Sequence, residues 1–162
     1  MYRFVADTAG VVNFFVEVDQ GETSSFVQPH AKVNSCCLSV PVVTLDKEME
    51  AHRHEQNDMV RIDAEGFDMR VLLGARRLFM EGRVRVVQFE YNFPWPLAGS
   101  SLSQAFELFR EADYVVSLLK RGGLYCVDPG MLVEYYRYSN FIATGADRVG
   151  IVLAGAKPLS AI

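Results

Sequence analysis

The chain has 162 residues, 50% of them apolar and 22% charged, with a formal net charge of -4. That length suits one domain able to bury about 70% of the surface of its unfolded chain, and no stretch reaches the roughly 18 consecutive apolar residues of a membrane span. The arginines are scattered through an acidic chain, which argues against nucleic acid as a partner, because phosphate binding calls for a basic stripe.

The N-terminal "MYRFVADTAG" has neither a long apolar region nor a cleavage site and is not a signal peptide, so the expectation is a cytoplasmic location or a targeting segment that has been lost. Tyr2 to Ala6 and Val11 to Val18 have the composition of strands, and the turn-prone "DTAG" between them predicts an N-terminal β-hairpin. From Asp19 to Ser39 the chain is polar and irregular, a loop of functional length in which His30 reads as a solvent-exposed histidine. Cys36 and Cys37 are neighbours that cannot easily bridge each other, and Cys126 lies in an apolar run, where a buried free thiol is expected. No disulfide framework is indicated.

Val40 to Thr44 resumes a strand pattern, which Pro41 demotes to an edge or a strand start. Leu45 to about Glu55 reads as a polar helix, with Asp46 placed to cap its first turn. His52 and His54 face different sides of it and do not form a metal pair, since zinc helices space histidines three or four apart. The segment "MVRIDAEGFDMRVLLGARRLFMEGRVRVVQFEYN", Met59 to Asn92, organises the rest. Met59 to Ile62 is a strand. The spacing of Val71, Leu72, Ala75, Leu78 and Phe79 predicts one helix closed by Gly82, with Arg70, Arg76 and Arg77 on its solvated side. Val84 to Tyr91 is a second strand, apolar enough to be covered on both faces. In such a strand, helix, strand unit ligands sit outside the carboxyl ends of the strands, where Asp63, Glu65, Glu90 and Asn92 fall.

Beyond it, "NFPWPLAGSS" is expected to be a loop, because two prolines bracket Trp95. Ser101 with Gln104 forms a capping box for a helix whose face is Leu102, Ala105, Phe106 and Phe109. Tyr114 to Leu119, Leu124 to Val127 and Asn140 to Thr144 are strand candidates against which Tyr135, Tyr136 and Tyr138 would pack, and residues 145–162 form an unassigned tail.

"RIDAEGFDMRVLLGA" resembles the I-K-I-D-V-E-G-x-E-x-x-V-L-x-G-A signature of the FkbM family of S-adenosylmethionine-dependent methyltransferases; "VVQFEYN" resembles the strand that follows it there, and "VPVVTLDKEME" the T-L-D segment that precedes it. The likeness runs from about Phe4 to Thr144. It departs in two places: Asp68 replaces the signature's second glutamate, and the glycine-rich cofactor motif that should precede this region is missing. The resemblance implies an α/β fold, a partial Rossmann-like methyltransferase sheet with flanking helices, and makes residues 1–144 the C-terminal part of the domain. Its implied function is O-methylation of a small-molecule or sugar hydroxyl with S-adenosyl-L-methionine as cofactor.

Under that reading Asp63 and Glu65 are the candidate catalytic residues, Asp63 and Gly66 the cofactor-binding ones, and Glu90, Asn92 and Trp95 the substrate-binding ones. A hydroxyl nucleophile needs a group to remove its proton, which the carboxylates supply. Acidic residues in a helix's first turn also complement its dipole without any ligand. Asp63, Glu90 and Asn92 are by position an alternative all-oxygen site for a divalent ion, although no metal is the main expectation. The other function considered is a non-catalytic α/β interaction module. An open sheet edge beside Met59 would in either case invite self-association.

Overall fold

The strand most withdrawn from water is Val84–Tyr91, β5. Val87, Phe89 and Tyr91 are fully buried, as its apolar, β-branched and aromatic composition requires. A computed structural model describes the chain over residues 4–17, 26, 35–128, 134–145 and 157–158. In chain order the other elements are β1 (Phe4–Val5), β2 (Gly10–Glu17), β3 (Ser35–Val43), α1 (Leu45–Ala51), β4 (Asn57–Ile62), α2 (Asp68–Leu73) and α3 (Arg76–Met80), then, after β5, α4 (Pro94–Leu97), α5 (Leu102–Glu111), β6 (Tyr114–Lys120), β7 (Gly123–Cys126), β8 (Ser139–Gly145) and β9 (Lys157–Pro158).

The main sheet has the order β4-β5-β8-β6-β7-β9. β4 and β5 are parallel, in register from Asn57 opposite Val84 to Ile62 opposite Phe89, so the strands at Met59 and Val84 are adjacent as expected. β8 is inserted antiparallel between β5 and β6. Of the tail left unassigned, Lys157 and Pro158 extend the sheet beside β7. Leu72, Leu78, Phe79, Phe109 and Phe141 are all within 1% of complete burial and share one core with β5. Phe89 lies between Phe109 and Phe141, with ring centroids 5.6 and 5.4 Å away.

The helix predicted from Val71 to Phe79 is two helices, broken at Gly74 and Ala75. The cause lies far away in the chain. A Cβ at Gly74 would collide with the carbonyl oxygen of Ala6, so the glycine admits the N-terminal segment, and its own carbonyl accepts from the Asp46 amide at 2.9 Å. The Asp46 carboxylate then accepts from the amides of Arg77 and Leu78 at 3.1 and 3.0 Å. Asp46 is therefore a cap, but of α3. Its own helix is capped by Thr44, whose hydroxyl accepts from the Lys47 amide.

The expected N-terminal hairpin is not formed. β1 and β2 flank β3 in a separate small sheet of order β1-β3-β2, β1 parallel to β3 and β2 antiparallel to it. β3 begins at Ser35 and so takes in the end of the predicted polar loop; His30 lies outside the described residues. Pro41 is accommodated because β1 reaches β3 only at Val42 and Val43, leaving an unpaired side for the proline nitrogen. The rings of Phe4, Phe14 and Phe26 cluster, and Phe26 stacks on Phe67 at 4.6 Å. An Arg70–Asp7 ion pair at 2.9 Å joins the bend after β1 to α2 beside this stack.

"NFPWPLAGSS" contains one helical turn, α4, rather than a plain loop: its prolines sit in the first turn, where amide donors have no helical partner. Ser101 and Gln104 form the predicted capping box of α5. Cys126 is half-buried on β7 rather than enclosed, and Cys36 and Cys37 are exposed.

Candidate functional site

At the carboxyl end of β4 the chain turns sharply through Asp63–Phe67. Glu65 adopts φ +48° and Gly66 φ +94°, and a side chain at Gly66 would strike Pro94. The turn is closed from inside by Asp68, a fully buried carboxylate that accepts from the Ala64 amide at 3.2 Å and the Gly66 amide at 3.1 Å. Burial pushes the Asp68 carboxyl up from the ordinary 3.8 to about 7; the amide bonds oppose this and the charge of Glu90 adds to it. Asp63 itself is exposed, and Arg61 donates to its Oδ2 at 2.9 Å.

Glu90, the penultimate residue of β5, is 6% exposed, and its Oε1 accepts from the Asn92 Nδ2 at 2.8 Å. Its carboxyl is raised, first by burial and further by the charges of Asp63 and Glu65, against hydrogen bonds from Asn92 and Tyr138. Tyr138 in turn accepts from Asn140, and Asn140 from Gln88. The Asn92 Oδ1 is buried without a donor among the described residues.

Two clefts meet at Asp63 and Glu65, which line both. One, of about 390 Å³, runs along the outer side of β4 and is mainly apolar, walled by Val60, Ile62 and Val71 and by Phe4, Phe14 and Phe26 of the neighbouring layer. The other, of about 440 Å³, is polar: Glu90 and Asn92 join Asp63 and Glu65, and Phe93, Pro94, Tyr136 and Tyr138 complete its wall. Four of the residues expected at the site thus converge on one cleft.

The other two do not. Gly66 is buried and lines neither cleft; its amide is held by Asp68. Trp95, expected to wall the substrate, is wholly buried, its ring 5.2 Å from Tyr91 and 6.1 Å from Phe89. The helical turn begun at Pro94 directs the indole into the core and leaves Phe93 at the cleft. Sequence reasoning also missed the packing of Tyr136 and Tyr138 beside Glu90. Their segment is strapped down by Glu134, which accepts from the Leu102 and Ser103 amides at the start of α5 and from the Tyr91 hydroxyl, while that hydroxyl accepts from the Tyr136 amide. The neighbouring His52 and His54 rings are 6.2 Å apart, and among the described residues no three His, Cys, Asp or Glu side chains gather as a metal ion would require.

The family model of the methyltransferase FkbM domain matches residues 4–116. The chain belongs to that family. The matched part of the FkbM domain runs from β1 into β6 and holds both carboxylate-bearing strand ends, whereas Tyr136 and Tyr138 on the far wall lie beyond it. No curated protein and no solved structure matches the chain. No helix among the described residues is long and apolar enough to cross a membrane.

Proposed function

We propose that this FkbM domain serves the transfer of a methyl group from S-adenosylmethionine to a hydroxyl of a small molecule or sugar. The observation that carries the reading is the convergence of Asp63, Glu65, Glu90 and Asn92 on one cleft at the carboxyl ends of two adjacent parallel strands, the place where α/β folds bind ligands. The methyl donor, when bound, supplies an electrophilic methyl on a sulfonium. The residues present suit such a group: the apolar cleft offers aromatic walls to a flat base, and at its mouth Asp63 and Glu65 present acceptors for ribose hydroxyls. Residues 1–144 are read as the C-terminal part of the domain, and the 162 residues contain no D-V-G-A-N-x-G-type turn.

Glu90 is the best placed of the carboxylates to receive the acceptor's proton. Burial and two negative neighbours raise its basicity, and the Asn92 amide fixes one of its oxygens. Asp63, on the ridge between the clefts, orients the hydroxyl toward the donor side, and Glu65 lies beside it. Gly66 contributes through the shape of the turn. In the natural enzyme carrying this domain, Glu90→Gln and Asp63→Asn each lower turnover by about two to four orders of magnitude while circular dichroism stays unchanged. Full turnover of both variants at saturating substrates would remove the assignment.

The position of β4 as the outermost strand of the main sheet favours one alternative, a non-catalytic module that pairs this edge with another chain. Such a module would retain its partner in both carboxylate variants and would show no methyl transfer to any hydroxyl.

A further inference from the structure

We propose that Glu134 is a positioning residue of the site: without touching substrate, it clamps residues 134–138 to the carboxyl end of β5 and so holds the Tyr138 hydroxyl on Glu90. The inference rests on the proposed methyl transfer, in which Glu90 receives the acceptor's proton, and names the group that keeps that carboxylate ready. Glu134 joins two elements remote from it in sequence. One of its oxygens accepts from the Ser103 amide and hydroxyl at 3.1 and 2.9 Å, the other from the Leu102 amide at 3.1 Å and the Tyr91 hydroxyl at 2.8 Å. The amides belong to the first turn of the ten-residue α5, where donors lack helical partners and negative charge is favoured. Tyr91 ends β5 between Glu90 and Asn92, and its hydroxyl also accepts from the Tyr136 amide at 3.2 Å. Its ring meets those of Tyr135 and Tyr136 at 5.2 and 6.4 Å. Residues 134–138 thus form an arch: at one foot Ser139 enters the sheet opposite Tyr91, and at the other stands Glu134. Between the feet Tyr136 holds φ +51°, a backbone state that a tyrosine keeps only where its surroundings impose it.

The chain of contacts ends at Glu90. Burial and the charges of Asp63 and Glu65 push a proton onto it, and the bonds from Asn92 and Tyr138 oppose them. Asn92 directly follows β5, so the strand itself sets its place. Tyr138 reaches Glu90 only from the arch, its hydroxyl aligned by the Asn140 amide at 3.2 Å. Such a clamp has to stay charged while Glu90 titrates. Burial works to raise the Glu134 carboxyl, but the bonds from Ser103, Tyr91 and Leu102 outweigh it and hold that carboxyl below the ordinary range. Around Glu90 the other charged groups are Asp63 and Glu65 in the turn after β4, Asp68 at the start of α2, Arg61 paired with Asp63, and Arg137 within the arch. All of them are left in place by the substitutions that test the clamp.

Carbon-13 NMR of the glutamate side-chain carboxyls reads the Glu90 titration directly on the chain, the resonance being assigned by its loss in Glu90→Gln. Tyr138→Phe should move the midpoint to higher pH by about one pH unit, the effect of losing one bond to a charged group. Glu134→Ala should move it the same way by a similar amount, and the double variant no further. The direction is decisive, because removal of a negative charge would by charge alone move Glu90 to lower pH. Glu134→Gln keeps one acceptor and should give a smaller move in the same direction. It replaces the alanine throughout if the fluorescence of Trp95, the single tryptophan, whose ring stands 5.2 Å from Tyr91, shows the alanine variant unfolded. A midpoint that is unmoved or lowered in the Glu134 variants, that stays in place in Tyr138→Phe, or that moves further in the double variant overturns the proposal. No methyl transfer enters this measurement, so a failure of the proposed reaction would leave its outcome standing.

Discussion

Asp68 holds a proton that solvent would remove, and the consequence is measurable. Its carboxyl is raised from 3.8 to about 7; at about 1.4 kcal/mol per unit, that places about 4 kcal/mol of pH-dependent stability on one side chain. Between those two values the native protein keeps a proton that the unfolded chain has released, so stability falls as pH rises. The penalty is absent below the unfolded value and complete above the folded one. Asp68→Asn abolishes this titration: the amide oxygen can still accept from Ala64 or Gly66, but its NH2 confronts the other amide, a pH-independent loss of about 1 to 3 kcal/mol. Urea titrations of both proteins between about pH 5 and pH 7 should therefore show the wild-type advantage shrinking by roughly 1 kcal/mol per pH unit. Glu90, which also titrates upward, is common to both proteins; its repulsion from Asp68 trims the slope without reversing it. A stability difference that stays flat across this range would show that Asp68 carries no native proton, and the account of the turn would fail.

Three further substitutions test the framework. Leu72→Ala removes a fully buried side chain and should lower stability by about 2 to 5 kcal/mol in a denaturant titration; a loss within error would place Leu72 in water. Asp46→Ala strips α3 of its cap, so a loss of about 1 to 2 kcal/mol is expected, with hydrogen exchange accelerated at Arg77 and Leu78. Acceleration at Lys47 instead would return Asp46 to its own helix. Gly66→Ala forces a Cβ onto Pro94 at φ +94°, and the strained backbone alone should cost roughly 1 to 3 kcal/mol; an unchanged melting temperature would mean that the turn relaxes freely.

The pairing of β4 with β5, the capping box of α5 and the three later strands β6, β7 and β8 were legible in the sequence, because each rests on a local signal: alternation, an uninterrupted apolar run, or a Ser and Gln at fixed spacing. What stayed hidden depends on partners remote in sequence. The break at Gly74 answers to the Ala6 carbonyl, and the role of Asp46 to amides in another helix. Neither leaves a periodic trace. β1 and β2 looked like a hairpin because turn composition says where a chain turns, and not which strand lies between its arms. At the site, the carboxylates followed from their place at strand ends, whereas Trp95 was misplaced because a Pro-Trp-Pro stretch can open a helix as readily as a loop. The burial of Asp68 had one faint sign, an acid at the first position of a helix, two residues after a glycine; the Tyr136 and Tyr138 wall had none, since it is tied down through Glu134.

The position of β8 governs the order in which this protein can be built. β8 is hydrogen-bonded to β5 on one side and β6 on the other, yet both neighbours leave the ribosome before it. Until residues 139–145 emerge, β4 with β5 and β6 with β7 are two half-sheets, each showing a bare edge to solvent or to another nascent chain. The seam is closed by a late, long-range insertion rather than by growth from one end, a step that contact order makes slow. Synthesis stalled before residue 139 would release a chain with its core elements made and its sheet unjoined, and chaperone demand should peak there.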